Sequence, residues 1–102
     1  MDLLKLMEQI DRQELTDFLQ IAVQIPSHIE LESQEKEIGQ YIAGKLLAEG
    51  IETELQVVEG ERANVIATIH GTGEGKSVTF NGHIDSIPPI DMEDPYSGRI
   101  VG

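Results

Sequence analysis

Apolar residues at positions 3, 4, 6, 7 and 10 fall largely on one helical face, which predicts a short helix between Asp2 and Ile10. Asp11 stands three residues ahead of Glu14, the spacing of a capping box. A second helix is therefore expected to start there, with Leu15, Phe18, Leu19 and Ala22 facing inward. Pro26 disfavours helical backbone in the residue before it and ends this helix at about Val23 to Gln24. A connector over residues 25–32 follows, and Ser33 is expected to cap a third helix. Ile38, Tyr41, Ile42, Lys45 and Leu46 recur at intervals of three and four along it, and Gly50 supplies a left-handed stop. The Lys45 stem can lie along the edge of that apolar face while its ammonium stays in water.

Beyond Gly50 the period changes from helical to extended. Ile51, Thr53, Leu55 and Val57 alternate with Glu52, Glu54 and Gln56, the pattern of a strand with one wet side. Gly60 opens a turn, Ala63–His70 reads as a second and more apolar strand, and Val78–Gly82 as a third. The linkers between them are too short for a crossover helix, so neighbouring strands should run antiparallel. From Ser86 the chain reads Ile87-Pro88-Pro89-Ile90-Asp91-Met92-Glu93-Asp94-Pro95, a loop emerging from a strand end. Residues 96–102 could begin another strand or hairpin. The pattern as a whole predicts an α/β fold, with N-terminal helices packed on a partial mixed sheet.

At 102 residues the chain has room for one modest core and for no second domain. Its composition, 39% hydrophobic and 25% charged, is that of a soluble globular chain. Nineteen acidic against seven basic residues leave a formal charge of −12, and the basic residues are scattered singly. Such a surface repels polyanions, which excludes nucleic acid and anionic membrane as expected partners. The start Met1-Asp2-Leu3-Leu4-Lys5 lacks the basic leader and apolar run of a secretory signal, and cysteine is absent. A cytoplasmic location is the expectation. Without thiolates, any metal must be held by histidine and carboxylates.

The glycine-rich stretch Gly71-Thr72-Gly73-Glu74-Gly75-Lys76-Ser77 does not match a nucleotide-phosphate motif. His70 stands where a phosphate loop needs its first glycine, and a strand pattern follows where a helix should. It reads as a flexible hairpin loop. His28, in a polar connector, is expected to be exposed and solvated, and His70 to lie at the surface or in a hydrogen bond. His83 differs from both. It follows Gly82 at a strand end and precedes Asp85 by two residues, so in extended backbone both side chains address the same side. Gly82 leaves room for a turn or a close approach. Imidazole suits borderline metals, and a neighbouring carboxylate can join the shell or accept the other ring N–H. The spacing equally describes a hydrogen-bonded His–Asp pair at a loop base.

Four stretches, in order, resemble the N-terminal part of the M20 metallopeptidase family, the group of acetylornithine deacetylase, succinyl-diaminopimelate desuccinylase and carboxypeptidase G2. These are Ile25-Pro26-Ser27, the helix from Ile38 to Gly50, Asn64-Val65-Ile66-Ala67, and Gly82-His83-Ile84-Asp85-Ser86-Ile87-Pro88. The last matches a Gly-His-x-Asp-x-x-Pro signature, with Ser86 where threonine or valine is common. The resemblance implies that the chain is the first, incomplete portion of a zinc-peptidase-like α/β/α catalytic domain. It implies that His83 ligates one of two divalent ions, with zinc expected and cobalt or manganese as alternatives. Asp85 then belongs to the catalytic machinery as the carboxylate that orients His83 and tunes the metal. Asp94-Pro95-Tyr96-Ser97-Gly98 matches a segment that precedes the family's metal-bridging aspartate. The implied activity is metal-dependent hydrolysis of an amide or peptide bond in a small N-acyl amino acid or peptide. The remaining ligands and the base lie downstream in that family, so residues 1–102 alone are expected to be inactive and open to self-association through free sheet edges. The alternative from a different class is a small self-contained α/β module that binds without catalysis.

Overall fold

Aspartate side chains start the first two helices of the computed structural model, which describes residues 2–102. Asp2 Oδ1 accepts from Leu4 N at 3.0 Å and begins α1 (Leu3–Glu8). Asp11 Oδ1 accepts from Gln13 N at 2.9 Å and Glu14 N at 3.1 Å and begins α2 (Arg12–Gln24), as the Asp11–Glu14 spacing predicts. α2 stops two residues before Pro26, as expected. α3 (Lys36–Ala48) starts later than the sequence suggests. Gln34 adopts a left-handed φ of 48°, and Glu35 takes the N-cap position without a side-chain cap bond. Ser33 contributes only its carbonyl, to Lys36 N at 3.0 Å, so its expected capping role is corrected. At the other end Gly50, with φ 76°, donates to Leu47 O at 2.9 Å and Ile51 N donates to Leu46 O at 3.1 Å. These two bonds make a Schellman stop, which requires the positive φ that glycine tolerates.

The strands β1 (Glu52–Glu59) and β2 (Arg62–Thr68) form an antiparallel hairpin, with Glu52 opposite Thr68 and Gln56 opposite Asn64. Gly60 turns the chain with φ 56°, and the register shifts between Val57 and Glu59. Among the described residues three helices and a two-stranded antiparallel sheet thus bear out the α/β class. The third strand is corrected: Val78–Gly82 forms no strand and pairs with none among the described residues. Alternation makes a segment extended, but a strand needs a neighbour for its backbone groups, and here a groove separates it from β2. Phe80 is accordingly 95% exposed. The loop at Gly71–Ser77, with Gly73 at φ 89°, consequently joins β2 to an unpaired segment.

The chain divides into two compact units. One comprises the residues up to Ile25 together with Asp91–Gly102. In it Gln20 Nε2 donates to Gly98 O at 2.9 Å and Gln24 Nε2 to Ser97 O at 3.1 Å, tying the last turn to α2. Gly98 sits at φ 66°, and a Cβ there would lie 2.8 Å from Gln20 O, so no larger residue fits without a shift. Phe18 and Ala22 are half-buried as expected, whereas Leu15 and Leu19 are exposed along an open groove of about 520 Å³. The second unit, Pro26–Ile90, holds α3 and the hairpin. Its core centres on Ile38 and Ala43, both buried. Gly39 brings α3 close to Val65 and Ile84, whose side chains would each lie 3.7 Å from a Cβ at that position.

The connector of this unit overturns one expectation. His28 is buried at 7% exposure, not solvated, and makes a parallel bridge with Ser86. Ser27, equally buried, accepts Ser86 N–H on its carbonyl at 3.2 Å, and the two hydroxyls lie 3.1 Å apart. The polar connector pairs with a segment 59 residues away, and pairing removes it from water.

Candidate functional site

Ile84 fixes the site because its side chain packs on Gly39 of α3. In extended backbone the flanking side chains must point the other way, and His83 and Asp85 are both exposed. His83 Nδ1 lies 2.9 Å from Asp85 O and 3.2 Å from Asp85 Oδ1. Both are acceptors, so in the neutral ring the proton sits on Nδ1 and Nε2 carries the lone pair. The sequence expected these two residues to share one side, and the structure brings them together. Nothing lies within 4 Å of a Cβ built at Gly82, so the close approach expected there is absent among the described residues.

The pair opens onto a groove of about 600 Å³ between β2 and residues 79–85. Its basic group is Arg62, whose Nε donates to Glu35 Oε1 at 2.7 Å, with Glu59 Oε2 at 4.0 Å from Nη1. The hydrogen bond to Glu35 raises the Arg62 pKa most, its charge adds to this, burial opposes it, and Glu59 and Asp85 contribute less. The guanidinium thus keeps its charge up to and beyond its ordinary value and loses it only as pH rises past the raised one, while the pair also requires Glu35 to be ionised. Glu35, with its side chain 11% exposed, depends on Arg62 for compensation.

As a metal centre the described residues supply a beginning. His83 Nε2 is one donor of the right type with its second nitrogen already held by Asp85, the usual support for a ligating imidazole. No group of three histidine, cysteine, aspartate or glutamate side chains comes together among the described residues. Zinc needs three protein ligands and a water, or four ligands, so these residues fit one position of a site and do not close it. His70, as expected, is exposed and hydrogen-bonded, 2.7 Å from Glu52. Asp94–Gly98 forms a turn in the other unit, with Asp94 at φ 46° and Ser97 N donating to Asp94 O at 3.2 Å.

Sequence reasoning missed Ser27 and His28 as neighbours of the site. The Ile25-Pro26-Ser27 stretch was a visible signal, but no spacing rule reveals a pairing over so long a separation. No helix among the described residues is long and apolar enough to cross a membrane.

No family model matches the chain, and no solved structure matches it. A protein of Aspergillus oryzae named "probable carboxypeptidase" is 34% identical over 98 residues, covering 87% of this chain and 22% of its own length. A second, of Aspergillus flavus and also named "probable carboxypeptidase", is 34% identical over 94 residues, covering 86% of this chain and 21% of its own. The chain therefore spans about a fifth of the curated relatives it matches. It is distantly related to proteins named as carboxypeptidases.

Proposed function

We propose that residues 1–102 are the N-terminal part of the catalytic domain of an M20-type metallopeptidase, and that the parent polypeptide hydrolyses an amide or peptide bond in a small N-acyl amino acid or peptide. The observation that carries this reading is the His83–Asp85 pair: one ring nitrogen is held by the residue two positions on, the other is left for a ligand, and both residues face a groove. The Gly82–Pro88 signature and the similarity to carboxypeptidase-named proteins support it.

In this reading His83 contributes one ligand to a divalent ion, zinc first, with cobalt or manganese as alternatives. When bound, such an ion polarises the scissile carbonyl and lowers the pKa of a water. The work of this chain is to hold His83 in one tautomer and one orientation. Asp85 does so as a positioning residue, and Ile84 anchors both to α3. The remaining ligands and the general base come from polypeptide beyond residue 102. The free edges of β1 and β2 are where further strands add, and without them the 102-residue chain associates with itself.

The reading frame through Gly102 and the activity of its product test this proposal. The expected outcome is a longer polypeptide that releases amino acids from N-acyl or peptide substrates, stops on chelation, and recovers with zinc. A frame that ends at Gly102, or hydrolysis by the 102-residue chain alone, would contradict it.

A further inference from the structure

We infer that Ser27 is a positioning residue for His83, acting through the single peptide group that joins Asp85 to Ser86; the inference rests on the reading of His83 as a metal ligand. In a trans peptide the C=O and N–H of one planar unit point in opposite directions. Here that unit is used on both sides. The carbonyl of Asp85 accepts from His83 Nδ1 at 2.9 Å, and the amide of Ser86 donates to the carbonyl of Ser27 at 3.2 Å. Rotation of the peptide plane that strained one bond would strain the other. The imidazole is thus aimed by backbone at least as closely as by the Asp85 carboxylate, which lies farther away at 3.2 Å.

The anchor is built to stay in place. Ser27 is buried and Pro26 before it fixes φ, while the His28–Ser86 bridge extends the contact by one residue. The hydroxyls of Ser27 and Ser86, 3.1 Å apart, add a second bond beside the first. Ser27 is buried while Ser86 is exposed, so water competes for these bonds from one side only. A solvent-exposed imidazole alone would rotate and exchange tautomers; tied to a buried strap through one peptide unit, it keeps Nδ1 protonated and Nε2 bare. The connector at Ile25-Pro26-Ser27 therefore has a task besides ending α2: it presets the nitrogen that receives the metal.

The test is ¹⁵N NMR of the His83 ring in the full 102-residue chain, in mildly alkaline buffer and without metal. The wild type should show His83 mainly as the Nδ1–H tautomer. Ser86→Pro, which removes the amide N–H accepted by the Ser27 carbonyl, should lower the Nδ1–H to Nε2–H ratio by roughly twofold to tenfold, the change expected for one hydrogen bond of ordinary net strength, and Ser27→Ala and Ser86→Ala, which remove only the hydroxyl pair, should each lower it less. Ser27→Thr, which keeps the hydroxyl, should restore it. The amide spectrum of β1 and β2 checks that each variant is folded. A wild-type ring in the Nε2–H form, or a ratio unchanged in folded Ser86→Pro, would overturn the inference. Zinc binding by the parent polypeptide, with and without His83→Ala, separates the two claims: a preset tautomer together with zinc affinity that ignores His83→Ala supports the strap and counts against the ligand reading.

Discussion

At the scale of single residues, chemistry is concentrated in two positions, His83 and Asp85, and in the groups that hold them. A ligating imidazole without its carboxylate loses basicity and one of the two acceptors that orient it. Asp85→Ala in the parent polypeptide should therefore weaken zinc affinity by about 10- to 100-fold, read by chelator competition. Asp85→Asn keeps an acceptor and should lose less. A loss for Asp85→Asn equal to that for Asp85→Ala would point to Asp85 as a ligand itself. The His-x-Asp spacing made this pair legible, because side chains two apart in extended backbone share a side whatever the rest of the fold does. His28 was not legible in the same way. Its neighbours in sequence are polar, but burial is decided by Ser86, and a single chain carries no local sign of a partner so far along it.

Among elements, helix ends were read well where a side chain or a glycine makes the stop, as at Asp11 and Gly50. Ser33 failed because the left-handed turn at Gln34 moved the start of α3, and nothing in the residue type announces that turn. The Val78–Gly82 segment failed for another reason. Alternation specifies an extended backbone but not the partner that completes a ladder. Two glycines allow a paired test of backbone effects. Gly98 combines φ 66° with a Cβ position 2.8 Å from Gln20 O, so Gly98→Ala should destabilise the unit formed by α2 and the C-terminal turn by about 1–3 kcal/mol. Gly44 lies within α3 with open space around it, so Gly44→Ala should stabilise by about 0.5–1 kcal/mol. Chemical denaturation with amide-exchange readout checks both, and equal effects at the two positions would contradict the account.

For the whole molecule, the buried apolar core is slight and much apolar surface faces water, including Val78, Phe80, Ile87 and Ile90. Together with the free strand edges this predicts concentration-dependent self-association of the 102-residue chain, measured by light scattering. Phe80→Lys should reduce it, because a charge on an unpaired edge opposes addition of further strands. A stable monomer over the whole concentration range would favour the self-contained module. The resemblance in sequence extends over most of the chain but over only about a fifth of the matched carboxypeptidase-named proteins, so it speaks to ancestry more directly than to activity. The central claim is that His83 is a metal ligand of a hydrolase. The most direct measurement is chelator-sensitive hydrolysis of N-acyl amino acids and peptides by the parent polypeptide, with and without His83→Ala. The account predicts activity that chelation abolishes, zinc restores, and His83→Ala reduces to background with the fold intact. Activity that survives both chelation and His83→Ala would contradict it.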